Sequence, residues 1–422
     1  MDLSLNKQTV LNFCTLFLTI VCGLQWSDIN VVSLFLIWAV QACYIYIAFS
    51  FNDDYSLDVN DRKLLKIYLL WTIFSIIRGA MFYTLGNYWI WKSWFMGSFD
   101  VLLPSLIYIY SNPCVLGEIL KCWLKYALLF FLCILPFISR GAYHFYLGPI
   151  YIVAFFWPIY SKKWRVILLL LMLLMMSADM GARSQVIKTG VVLLGSVGYI
   201  FRHSISFSFL KFTHWLCYIA PLILLVLGIS GTFNIFEDLA SNEGKYVERK
   251  IDKEGRMVED DLSADTRTFI FEEIISSAVK NEYVICGRTP ARGNDSQYFG
   301  ATNAEDLKTG LYERHSNETG LPSLFTWLGL IGLILISLIY LRCSYLAVYC
   351  SNNIYMKLLG CFVAFRWAYG WIEDMYNFSP MILALFMVMG MSLSSYFRNM
   401  NDEEMKNWLL SLVDFRKNDI AL

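Results

Sequence analysis

The stretch ERHSNETGLPSLFTWLGLIGLILISLIY, residues 313–340, decides the fold. Its first eight residues are nearly all polar, and after Glu318 the next charge is Arg342. A helix over about 323–341 is therefore apolar enough, and at 1.5 Å per residue long enough, to cross a hydrocarbon core of roughly 30 Å. The polar run before it is the tail of a long interruption, from about Gly231 to Pro322, in a chain that otherwise alternates apolar stretches with short loops. The pattern is that of a polytopic membrane protein with most of its extramembrane mass in one loop.

Composition agrees: 57% hydrophobic against 16% charged residues and a mean hydropathy of +0.51 do not suit a soluble globule. An all-α fold is expected, with about twelve spans near 8–24, 30–50, 64–85, 92–110, 119–138, 146–160, 164–180, 186–201, 213–231, 323–341, 354–373 and 379–397. The patterns near 92–110, 146–160 and 186–201 are the weakest. The chain divides into nine helices over 1–231, the loop over 232–322, and three helices with a tail over 323–422.

Short cytoplasmic loops retain Lys and Arg. With the N-terminus inside, Lys7, Arg62, Lys63, Lys121, Lys162, Lys163, Arg165, Arg202, Lys211, Arg342, Arg398, Arg416 and Lys417 fall on that side, against Arg140, Arg183 and Lys188 in short outer loops. Both termini are then cytoplasmic and the long loop faces outward. That loop holds 18 Asp and Glu against 11 Lys and Arg, which argues against a nucleic-acid partner. Asp53, Asp54, Asp58, Asp61, Arg62 and Lys63 read as a solvated cytoplasmic loop.

Charges at membrane depth are costly and mark function. Arg78, Asp100 and Arg366 fall in the outer parts of their helices, with Glu373 and Asp374 beyond Arg366 and with Arg140, Asp179 and Arg183 in outer turns. They imply a charged cavity open to the outside. Within the loop, 234–261 reads as a mobile connection. Ser263 or Asp265 then caps a helix to about Lys280 with an apolar face of Phe269, Ile270, Ile274, Ile275 and Val279. The turn Cys-Gly-Arg-Thr-Pro-Ala-Arg-Gly at 286–293 presents Arg288 and Arg292, whose guanidinium forks suit phosphate oxygens. Arg314, His315, Asn317 and Glu318 follow at the membrane surface, with His315 or Glu318 a candidate general base. Tyr143, Phe145, Tyr298 and Phe299 are aromatics on the outer side, a residue type common as interfacial anchors. No glycine-rich phosphate loop follows a strand, so nucleotide chemistry is unsupported.

In the order of its pieces the chain resembles the O-antigen polymerase and ligase superfamily. The pieces are many helices, Asp265-Thr266-Arg267 opening a helix, the Gly287-Arg288 turn, His315-Ser316-Asn317, and Leu328-Gly329-Leu330-Ile331-Gly332-Leu333 in the next helix. Ser316 departs from the family's adjacent His-Asn pair. The resemblance implies an enzyme at the periplasmic face of the bacterial inner membrane. It would polymerise undecaprenyl-pyrophosphate-linked oligosaccharide units into O-antigen or a related surface polysaccharide by inverting transfer, in concert with a chain-length regulator. His315, Glu318 and Arg267 would be catalytic; Arg78, Arg140, Arg183, Arg288, Arg292, Arg314, Asn317 and Arg366 would bind substrate. Arginines can neutralise the leaving pyrophosphate, so neither metal nor other cofactor is expected. The rival readings are a ligase that transfers polymer to the lipid A core, and a lipid-linked oligosaccharide flippase, which would line a path through the whole bilayer with charge.

Overall fold

The computed structural model describes residues 2–27, 32–51, 56–81, 87–178, 183–229, 247–251, 257–261, 268–297, 299–306 and 310–416. Arg267, Asp179, Asp265 and Tyr298 lie outside them. The chain is mostly helical. Among the described residues, four helices are long and apolar enough to cross a membrane, within α1 (Asp2–Gln25), α3 (Val59–Met81), α12 (Phe207–Ile229) and α15 (Gly320–Tyr349). Two shorter apolar helices, α2 (Leu34–Ser50) and α17 (Pro380–Leu393), pack among them.

The remaining expected spans are shorter or interrupted. The span near 92–110 becomes α4 (Tyr88–Leu102), a 3-10 turn over Leu103–Leu106 and α5 (Ile107–Tyr110). Pro104 lies in that turn, where a ring without an N–H cannot continue the ladder. Asn112 caps α6 (Pro113–Cys122) by accepting from Cys114 and Val115 N–H, and a π-helical turn over Trp123–Ala127 leads into α7 (Leu128–Ile134). The span near 146–160 breaks at Gly148-Pro149 into α8 (Tyr143–Tyr146) and α9 (Ile150–Ala154). Next come α10 (Lys162–Ala178) and α11 (Arg183–Ile200). After α15 follow α16 (Ile354–Tyr369), α17, α18 (Ser395–Asn399) and α19 (Asp402–Ser411), the last begun by an Asn401/Glu404 capping box.

Two expectations for the polar loop change. The segment read as a mobile connection contains an antiparallel hairpin, β1 (Val247–Ile251) with β2 (Met257–Asp261), in which Arg249 is opposite Glu259. In α13 (Thr268–Lys280) the protein side holds Ile270, Ile274, Ser277 and Ala278, whereas Ile275 and Val279 are exposed. Further on, β3 (Asn294–Asp295) pairs with β4 (Glu313–Arg314), with α14 (Gly300–Asp306) between them.

The expected solvated run on the other side also changes. Asp61 is in the first turn of α3, buried, and paired with Arg342 of α15 at 2.5 Å. Asp58 pairs with Arg398 at 3.0 Å. A carboxylate becomes buried there because a guanidinium from a distant helix meets it.

Candidate functional site

The site rests on a break in α15. Gly329, at φ +68° inside that helix, leaves the helical path, and the backbone groups freed there are taken up by the segment after α13. Arg288 N–H donates to Thr326 O (2.7 Å), Thr289 N–H to Trp327 O (3.1 Å), Leu330 N–H to Val284 O (2.9 Å) and Ile331 N–H to Ile285 O (3.3 Å). Trp71 Nε1 of α3 donates to Leu328 O at 3.0 Å. Irregular backbone is tolerated at the edge of a membrane domain when its polar groups are satisfied in this way. Gly287, at φ +71°, passes so close that a Cβ on it would lie 2.4 Å from Gly329 N. Arg78, at the end of α3, secures the crossing through Nη2 bonds to Cys286 O (2.7 Å) and Gly287 O (2.6 Å).

The turn beyond is held by charge. Arg288 Nη1 binds Asp295 Oδ1 (2.7 Å) and Gly293 O (2.8 Å), and its Nη2 reaches Glu313 Oε1 at 3.0 Å. Arg292 grips both oxygens of the same Glu313. Burial alone would raise the Asp295 carboxyl, but hydrogen bonds from Asn281, Arg288 and Lys280 outweigh it and hold it below the usual carboxylate range. Asn317 is buried, with Nδ2 on Asn294 Oδ1 (2.8 Å) and its N–H on Ser323 Oγ (3.1 Å). Arg78, Arg288, Arg292 and Asn317 are thus engaged in building the loop.

These contacts shape a cavity of about 360 Å³, lined by Trp89, Ile90 and Ser93 of α4, Ala291, Gly293, Phe299, Asn303 and Leu311, and the run from Glu313 to Ser316. Arg314 lies over the Phe299 ring (4.4 Å) and touches Glu318 Oε1 at 3.4 Å, while its buried Nη1 has no hydrogen-bond partner among the described residues. His315 Nε2 is 2.9 Å from Pro290 O. A carbonyl only accepts, so Nε2 carries the proton and Nδ1 the lone pair. Burial outweighs the Pro290 bond and the Glu313 charge and lowers the imidazole below its ordinary 6.5, which keeps it neutral at physiological pH. Trp327 lies tilted against the ring (centroids 5.6 Å, 36°) and donates Nε1–H to His315 O at 3.0 Å. Glu318 is 63% exposed and outside the lining. Of the two candidate bases, the structure brings His315 into the cavity.

A second charged group is buried beneath α15. Lys188 of α11, 0% exposed, and Arg366 of α16, 2% exposed, share the Glu373 carboxylate. Arg366 Nε and Nη2 have no partner among the described residues. Gly320 N–H donates to Glu373 O at 2.8 Å, so the start of α15 joins this group to the His315 segment. His144 is buried nearby, and Gln185 Nε2 reaches Gly141 O at 3.4 Å. Arg140 and Arg183 are exposed at the adjoining turns.

Lys188 was read from sequence as a loop residue. The helix begins at Arg183, which carries Lys188 roughly 7 Å further in. Trp89 gave no separate signal because a tryptophan-rich run at a helix end reads as an interfacial anchor. The chain matches no family model, no curated protein and no solved structure.

Proposed function

We propose that this protein polymerises undecaprenyl-pyrophosphate-linked oligosaccharide repeat units into O-antigen or a related surface polysaccharide. It would work at the periplasmic face of the bacterial inner membrane, crossing it about twelve times with both termini inside. The observation that carries this reading is one cavity holding a neutral imidazole, an unpartnered guanidinium N–H and two aromatic rings, at the same end of the helices as the buried Arg366.

In the reaction, a hydroxyl oxygen of one lipid-linked unit attacks the anomeric carbon of the growing chain on a second lipid. The bond from that carbon to the pyrophosphate oxygen breaks, and undecaprenyl pyrophosphate leaves. His315 Nδ1 takes the hydroxyl proton. A single displacement inverts the anomeric centre. Arg314 and Arg366 have N–H groups without a partner among the described residues, and each would hold one lipid pyrophosphate. The exposed Arg140 and Arg183 add to the cationic rim.

The charges at the opposite end support an enzyme over a flippase, since Asp61–Arg342 and Asp58–Arg398 pair with each other. The test is deletion of the gene in the source bacterium, followed by complementation, with the lipopolysaccharide banding pattern as readout. Core carrying a single repeat unit is the expected result. Bare core with polymer retained on the carrier would make the protein a ligase, and loss of all periplasmic units a flippase.

A further inference from the structure

A second cavity, of about 250 Å³, lies further along α4, where Met96 and Asp100 meet α1, α2, Phe145 of α8 and the turn 377–379. It contains no residue of the His315 site. Its walls combine aromatic rings, Trp26, Trp38, Phe145 and Phe378, with polar groups from Gln25, Gln41, Asp100 and Asn377. The rings are set: Trp26 stacks on Phe145 (5.6 Å, 19°) and Trp38 on Phe95 (5.0 Å, 22°). The turn is set too, because Asn377 Nδ2 donates to Asp374 Oδ2 and Ser379 N–H donates to Asn377 Oδ1, both at 3.0 Å. The side chains of Gln25, Gln41 and Asp100, in contrast, make no hydrogen bond among the described residues.

This chemistry selects its occupant. An acyl chain would strand the Asp100 carboxylate and two amides against hydrocarbon, at a cost of several kcal/mol. An anion would find no cationic side chain among the walls. A polyhydroxylated ring satisfies all the groups at once: its hydroxyls donate to Asp100, exchange donors and acceptors with the glutamine amides, and leave a C–H face for an indole. The volume, just below the roughly 300–1,000 Å³ of drug-sized ligand pockets, suits a single ring system.

We propose that this cavity is a saccharide pocket that holds a sugar residue of the lipid-linked substrate. The assignment rests on the glycosyl-transfer reading above. The pocket's turn is tied to Asp374 through Asn377, and the neighbouring Glu373 pairs with the buried Arg366.

The test is saturation-transfer difference NMR on the purified full chain in nanodiscs, with free hexoses and N-acetylhexosamines at millimolar concentration as probes. Tetramethylammonium serves as a cationic control. At least one sugar is expected to receive saturation on its ring C–H protons. Binding should weaken at least tenfold in Asp100→Asn and in Trp26→Ala, and should be unchanged in His315→Ala. Trp26 is 44% exposed, so its truncation tests the pocket even if Asp100→Asn fails to fold. No sugar signal in the wild type, a signal indifferent to both pocket variants, or preferential binding of tetramethylammonium would overturn the assignment. Turnover of lipid-linked substrate, followed separately, distinguishes the two readings. Turnover without pocket binding removes the pocket alone, and pocket binding without turnover removes the polymerase reading alone.

Discussion

His315 and Glu373 carry the sharpest consequences at the scale of single residues. An imidazole held neutral by burial works as a base until the pH falls through its lowered pKa. The acid limb of the turnover profile is therefore expected below pH 6.5, and a limb at or above that value would contradict the role. Replacing His315 with Ala should lower kcat by about 10²–10⁴-fold, measured as release of undecaprenyl pyrophosphate. Glu373 neutralises two buried cations, so Glu373→Gln leaves both uncompensated, a loss of about 3–5 kcal/mol. Lys188→Met leaves a one-to-one Arg366–Glu373 pair and should cost less. Melting temperatures in detergent compare them, and a Glu373→Gln protein as stable as Lys188→Met would show the charge count to be wrong. His315 was legible in sequence as a polar residue abutting an apolar helix. The sharing of Glu313 by Arg288 and Arg292 was not, because it depends on a turn folding back 21 residues in sequence.

At the scale of elements, the broken α15 and the segment threaded into it act as one unit. A side chain at Gly329 meets both a left-handed backbone and Ile285 O at 2.2 Å from its Cβ. Gly329→Ala should cost about 1–3 kcal/mol from the backbone alone, with more from the clash. Its local effect should be faster hydrogen exchange at residues 284–289. Unchanged protection there would mean that the crossing does not hold the loop. The apolar run 323–341 made this helix legible, but its break was not, since Leu-Gly-Leu fits an unbroken apolar helix as well. The weak patterns near 92–110 and 146–160 proved informative in another way. Pro104 and Pro149 interrupt them, and the resulting turns position Asp100 and Phe145 at the second cavity. The 186–201 pattern, equally weak, is one continuous helix whose buried face carries Gln185, Lys188, Thr189 and Ser196. Polar residues facing other helices dilute hydropathy without ending a helix.

For the whole molecule, the helices have two chemically different ends. One is closed by the Asp61–Arg342 and Asp58–Arg398 pairs and by backbone bonds between the 56–57 segment and Ser394–Ser395. The other carries both cavities, the buried Lys188–Glu373–Arg366 group and Arg314. That asymmetry was legible from the clustering of Arg78, Asp100, Arg366, Glu373 and Asp374 on one side. The assignment of partners was not, because opposite charges on different helices carry no sequence signal of meeting. An enzyme acting at one face needs only one open end. The most direct measurement is reconstitution of the purified protein in liposomes with the lipid-linked repeat units of its own cell, resolving the products by length. The account predicts a ladder spaced by one repeat unit, with undecaprenyl pyrophosphate released in step and the ladder lost in Arg314→Ala and His315→Ala. Units that remain monomeric with the wild-type protein, or a ladder that survives both substitutions, would contradict it.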